Sequence, residues 1–250
     1  MRLTRTRGKR VPGFTLVEMA IVLVIIGIIL AGIMKGRDIV RGSQVKQFSQ
    51  GFAQKWVTIA ATYYDKVGQH LADGADNGGA GINPTDGRMD NITFLNSGVG
   101  PGLRGPLLDA LQNVGITPCT MIKTDLEDDA ATGTRCANNY NIYERTVEGE
   151  TTGKSRVTMG LACLQISGGA IRNAVSYTNV PVDVAIGLDT LIDGQADGEN
   201  GSCLCLGQTD KTALFTDPLT FSGLTAATPI PYPSEASGDH FLWIALILDY

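Results

Sequence analysis

The chain has 250 residues, 43% of them apolar and 18% charged, which suits one or two globular domains and excludes a disordered chain or a polytopic membrane protein. The formal charge of −5 is uneven. Arg2, Arg5, Arg7, Lys9 and Arg10 crowd the first ten residues without an acid, and the other 15 basic residues face 25 acids, a net −10. A body that acidic has no general electrostatic footprint for nucleic acid, so no nucleic-acid partner is expected. The two histidines, His70 and His240, exclude a His-rich metal site and leave little for a catalytic triad, so no enzymatic activity is expected. Glycine, at 31 residues, points to many turns rather than to a helical bundle.

Residues Met19 to Met34 are sixteen consecutive residues without a charge. Counted from Phe14, the run interrupted only by Thr15 and Glu18 makes about 31 Å of helix, one hydrocarbon core. The basic leader before it obeys the positive-inside rule, which keeps residues 1–13 cytoplasmic and exports the rest. A secretory signal peptide fits poorly, because the run is long and no small-residue cleavage site follows it. A plain signal anchor leaves Glu18 unexplained. An acid near the start of a spanning helix costs about 3 kcal/mol unless something compensates it.

Arg10-Val11-Pro12-Gly13 followed by Phe14-Thr15-Leu16-Val17-Glu18 resembles the cleavage and methylation signal of type IV prepilins and type II secretion pseudopilins. The resemblance implies that a prepilin peptidase cuts between Gly13 and Phe14 and N-methylates Phe14. Glu18 then becomes the fifth mature residue, where the family keeps its glutamate. The cleaved Phe14 amine is cationic below a pKa of about 8, so a neighbouring subunit's ammonium can pair with Glu18 in an apolar filament core. Glu18 then fixes the axial stagger, as a buried polar residue fixes register in a coiled coil.

No proline occurs between Pro12 and Pro84. Beyond the span, Val45, Phe48, Phe52, Trp56, Ile59, Tyr63 and Val67 recur at helical spacing. One helix over 14–69 is expected, with 14–34 in the membrane or filament core and the amphipathic half packed on its own globular domain. Many pilins carry a proline near the position of Lys35-Gly36-Arg37; here Gly27, Gly32 and Gly36 stand instead. Each glycine lowers helix stability by about 1 kcal/mol relative to alanine. Local melting and close packing through small residues are both readings of that pattern.

Residues 72–91 are rich in glycine, aspartate and asparagine and read as a solvated loop; Asp73, Asp76, Asp86 and Asp90 lack the spacing of a known calcium loop. Residues 106–114 read as a short helix between Pro106 and Gly115. Strands are expected at 140–147, 157–166 and 241–248. A sheet against the amphipathic half-helix gives an α+β fold, a helical stalk on a globular antiparallel head over 70–250. Pro181 starts a helix with Val182, Ala185, Ile186 and Leu188 inward and Gly194 at its end. The following D-x₃-D-x₃-D-x-E run is similar to an aspartate-containing helix and Asp-Gly loop found in large pilin-like proteins. Because pseudopilins often bind calcium, that similarity makes Asp193, Asp197 and Glu199 calcium candidates; no other cofactor is expected.

All five cysteines, Cys119, Cys136, Cys163, Cys203 and Cys205, lie in the exported part, where disulfides form. Two bridges and one thiol are expected, Cys119 with Cys136 and Cys163 with Cys203 or Cys205. Classical pilins close a loop near the C-terminus with a disulfide, whereas 45 residues follow Cys205 here. The resemblance as a whole implies a structural subunit of a type IV pilus or pilus-like filament. The alternatives are a type II secretion pseudopilin, a minor priming or tip subunit and, less favoured, a membrane-anchored periplasmic enzyme. The partners implied are other copies of the chain in a helical filament, the prepilin peptidase and the inner-membrane assembly machinery. The precursor is expected in the inner membrane, and the assembled form in a periplasm-spanning or extracellular filament.

Overall fold

The structure, a computed structural model, describes residues 15–79, 85–90, 92–93, 104–122, 142–167, 169–210, 225–233 and 240–250. The chain divides into two compact units, Met1–Gly42 and Ser43–Tyr250. Helix α1, Leu16–Phe48, supplies all the described secondary structure of the first unit. Up to Val40 its apolar side chains face outward on every side, Leu16 at 86% exposure, Leu23 at 70% and Ile28 at 68%. Among the described residues it begins the one helix long and apolar enough to cross a membrane.

In the second unit the helix runs on through a π-helical turn, Ser49–Ala53, into α2, Gln54–Val67. Gly68 ends α2 in the left-handed region at φ 75, its N–H donating to Tyr64 O at 2.7 Å, which satisfies one orphan carbonyl. The apolar face expected from the spacing is the buried one. Phe48, Phe52, Trp56, Ile59 and Tyr63 are sealed in the core, and Val45 and Val67 pack at its margins. A π turn breaks the regular hydrogen-bond ladder and leaves carbonyls to be satisfied from outside. The Tyr177 hydroxyl donates to Ala53 O at 2.7 Å, while its ring packs on Phe48 and Phe52. Trp56 stacks on Tyr143 at 5.4 Å and donates its indole N–H to Ile142 O at 3.0 Å.

The remaining elements, in chain order, are β1 Ile92–Thr93, α3 Arg104–Asn113, α4 Pro118–Met121, β2 Glu144–Gly149, β3 Gly153–Ile166, β4 Ile171–Pro181, α5 Val182–Ile192, β5 Cys203–Asp210, β6 Thr225–Ala227 and β7 His240–Leu248. The strands form one seven-stranded sheet with the order β1-β3-β4-β7-β5, and β2 and β6 also pair with β3. The fold is α+β, a long N-terminal helix followed by an antiparallel sheet. Along one edge of β3 lie β2, β1 and β6 in turn, opposite Gly153–Thr158, Gly160–Leu161 and Leu164–Ile166. The β6 pairing is the parallel one.

Val157, Met159, Leu161, Val175, Tyr177, Leu242, Ile244 and Leu246 share the core of the amphipathic half-helix. On the opposite face Ala162, Leu164, Ala174, Ala227, Trp243 and Ala245 form a second apolar cluster. Two-sided burial explains why the middle of β3 reads as a continuous run rather than an alternation. Helix α5 approaches the N-terminal helix closely, since a Cβ on Gly187 would stand 2.8 Å from Val45 Cγ1.

Candidate functional site: the N-terminal signal and the aspartate loop

Gly13 and Phe14 lie outside the described residues. Immediately after them, Thr15 and Glu18 form a reciprocal capping box at the start of α1. The Glu18 N–H donates to Thr15 Oγ1, and the Thr15 N–H and hydroxyl both donate to Glu18 Oε2, each at 3.3 Å. Thr15 is thus a partner for Glu18 within its own chain, one that the sequence analysis did not name, and the carboxylate also sits at the positive end of the helix dipole. The T-x-x-E signature was present in Thr15-Leu16-Val17-Glu18 but was masked by reading these residues only as part of the span.

The second segment singled out by sequence is held together by its own aspartates. Asp189 Oδ2 accepts the Gly198 N–H at 3.2 Å; Asp193 accepts the N–H groups of Ser202 and Cys203, the latter at 2.8 Å. Asp197 accepts the N–H groups of Glu199 and Asn200 and the Asn200 amide. These bonds pull the Asp197 carboxyl below its ordinary value, the Asn200 backbone N–H most strongly. Gly194, Gly198 and Gly201 supply the positive φ angles that the loop needs, and a side chain on Gly201 would collide with the Asp193 carboxylate. Of the calcium candidates, Asp193 therefore engages its oxygens with main-chain donors, Asp197 with two main-chain N–H groups and the Asn200 side-chain amide, and Glu199 is exposed.

Asp189, the first aspartate of the D-x₃-D-x₃-D-x-E run but not one of the calcium candidates, is the buried member of this set. It is sealed from solvent, and its Oδ1 makes no hydrogen bond. Burial first, and the adjacent Asp193 carboxyl second to it among the raising influences, push the Asp189 carboxyl up to about 6 against the pull of the Gly198 N–H. The Tyr232 hydroxyl and the Cys203 and Cys205 thiols face the same space; burial pushes Cys203 up, and Cys205 up to about 11. These thiols are buried and protonated, without the character of a reactive site.

The described part of the 72–91 stretch, residues 72–79 and 85–90, is not the solvated loop expected. Asp73 and Asp90 are buried, and each carboxylate holds backbone. Asp73 accepts the N–H groups of Asp86 and Gly87 at 2.9 Å, and Asp90 accepts that of Gly74. A buried acid is affordable where main-chain donors replace its water. Asp76 and Asp86 remain exposed.

The cysteine expectation also needs correction. Cys163, Cys203 and Cys205 are thiols. Cys163 stands on β3 and the other two on β5, with β4 and β7 between them. Three strand spacings amount to about 14 Å, twice the Cα separation of roughly 7 Å that a disulfide tolerates. Cys119 is not among the thiols, and Cys136 lies outside the described residues.

Residues 8–34 match the family model described as the prokaryotic N-terminal methylation motif, which is the type IV prepilin-like signal. No curated protein and no solved structure matches the chain. The chain thus carries the signal of a type IV pilin-like or pseudopilin precursor, and the exposed apolar helix that follows fits an inner-membrane precursor. Such a signal implies processing by a prepilin peptidase and entry into a pilus-type assembly machinery. The motif and the fold suggest a structural rather than a catalytic role.

Proposed function

We propose that the chain is a structural subunit of a type IV pilus or pilus-like filament, inserted as a prepilin, cut between Gly13 and Phe14, N-methylated on Phe14 and assembled through its N-terminal helix. One observation carries this reading: a methylation motif over residues 8–34 takes in the start of a helix whose apolar side chains up to Val40 are exposed among the described residues. Lipid covers such a helix before assembly, and other copies cover it afterwards. The 70–250 region is then the exposed head. A pseudopilin of a type II secretion machine shares all these features and is the second reading.

Intact-protein mass spectrometry of native material tests the processing. The mass of residues 14–250 plus one methyl group is expected, and Met1 retained on surface filaments overturns the reading. Alongside it we propose a Cys119–Cys136 bridge, which non-reducing peptide mapping detects as one linked peptide. The aspartate loop is read as a turn held without metal. Calcium added to chelator-treated protein should leave its melting temperature unchanged, and a rise would reinstate Asp193, Asp197 and Glu199 as ligands.

A further inference from the structure

Between the apolar run and the globular unit lies a short basic stretch. Lys35, Arg37 and Arg41 follow Met34 with Asp38 as the intervening acid, a net +2. Lys35 and Arg37 are exposed and Arg41 partly so. From residue 47 to the end, 11 basic and 23 acidic side chains give a net −12, so in sequence a positive stretch precedes a negative one.

We propose that Lys35, Arg37 and Arg41 form a docking band for the anionic phospholipid headgroups of the leaflet from which the span emerges. Its position along the axis carries the first part of the argument. Twenty residues from Thr15 to Met34 make about 30 Å of helix, the thickness of the hydrocarbon core. Lys35 therefore stands at the core boundary, and Arg41 about 9 Å further out. The headgroup layer is about 5–7 Å deep on each side, within reach of side chains that snorkel along their own stems.

Placement around the axis carries the second part. Arg37 and Arg41 are four residues apart and share a face, whereas Lys35 lies about 200° from Arg37 at 3.6 residues per turn. Lys35 and Arg37, about 3 Å apart along the axis, put charges on opposite faces. Arg41 reaches back from further out along its own stem, an arrangement that suits a layer surrounding the helix. A protein partner on one side would meet only part of them. Phosphodiester oxygens accept from Arg and Lys alike, and Arg forks grip them with two donors.

The band also changes meaning on maturation. In the precursor, five basic leader residues precede the span and, by the positive-inside rule, would hold the cytoplasmic end against its own headgroups. Removal of residues 1–13 would abolish that anchor and leave the outward band as the main headgroup contact of the subunit. The lipid contact itself rests only on the membrane-spanning reading of the helix, and neither cleavage nor filament assembly enters its test.

Native mass spectrometry of the full chain in detergent, supplied with equal amounts of phosphatidylglycerol and phosphatidylcholine, tests the proposal. To remove leader binding, the background carries R2Q, R5Q, R7Q, K9Q and R10Q. Each cation near an anionic surface is worth about fivefold (about 1 kcal/mol), so phosphatidylglycerol adducts should exceed phosphatidylcholine adducts at least tenfold. Adding K35Q, R37Q and R41Q should bring the ratio to about one, with the melting temperature of the second unit unchanged as the control for folding. Equal adducts before those three changes, or a preference that survives them, overturns the proposal. Displacement of the lipid by millimolar inorganic phosphate also overturns it, because the site would then be one for a soluble anion.

Discussion

Up to Gly42 the N-terminal helix presents apolar side chains to its surroundings on all sides, whereas from Ser43 onward the same kind of backbone hides one face completely. Ile28 is 68% exposed and Phe52, Trp56 and Ile59 are 0% exposed. Composition separates the two stretches in part, since Met19 to Met34 carry no charge whereas Lys46, Lys55, Asp65 and Lys66 punctuate the second. Arrangement completes the distinction. Apolar residues without periodicity call for a solvent that is itself apolar, lipid or other helices. Apolar residues at steps of three and four need one partner surface, which the sheet provides.

Substitution sharpens this contrast most strongly at the core. Trp56→Ala removes a sealed ring, its stack on Tyr143 and its bond to Ile142 O, and should lower the unfolding free energy of the second unit by about 3–5 kcal/mol. Ile28→Ala should change it by less than about 0.5 kcal/mol. Chemical denaturation followed by near-ultraviolet circular dichroism reads both. Comparable losses at the two positions would abolish the distinction drawn here.

The next effect is a pH dependence confined to the globular unit. The ordinary Asp189 value of 3.8 is raised to about 6, so between those values the folded state holds a proton that the unfolded state has released. Its contribution is complete below about pH 4 and is lost as pH rises through about 6. Asp189→Asn keeps an acceptor for the Gly198 N–H and supplies a donor toward Asp193. The variant should therefore melt higher than the parent at pH 8 and show a flatter melting profile from pH 4 to 7. An unchanged slope would remove Asp189 as the cause.

The smallest effect belongs to the first unit. Thr15→Ala deletes the hydroxyl of the capping box and should cost about 1 kcal/mol of helix stability at the N-terminus. Amide exchange of Leu16 to Glu18 in micelles should accelerate about fivefold, with Thr15→Ser restoring the parent rate. No change in exchange would mean that the box contributes nothing in a membrane environment.

Much of this architecture was legible because burial on the helix is periodic. Phe48 to Tyr63 named their own face, and Pro181 and Gly194 bracketed α5. Strand β4 was hidden because Asn173, Ser176 and Thr178 interrupt its apolar residues, although all three are buried in the middle of the sheet. The acids at 73 and 90 misled for a related reason. Composition reports polarity, but main-chain donors at Gly74, Asp86 and Gly87 make that polarity compatible with burial. Cysteine pairing depended on strand order, which no local pattern encodes. At the candidate site, Gly13, Phe14 and Glu18 were named from the motif, while Thr15 and Asp189 emerged only when hydrogen bonds and burial were known.

The most direct test of the central claim, that the first half of the helix is built to be covered by other copies of itself, is filament assembly by Glu18→Ala. Neither insertion nor cleavage uses a pair between Glu18 and a neighbour's Phe14 amine, so both should proceed. Truncating one side of such a buried pair costs about 3–5 kcal/mol, more than a hundredfold in the docking equilibrium at its lower end. Quantitative electron microscopy of cells in which this chain is a main filament component should find the variant cleaved and filaments nearly absent. Normal cleavage with filaments of parental length and number would contradict the account.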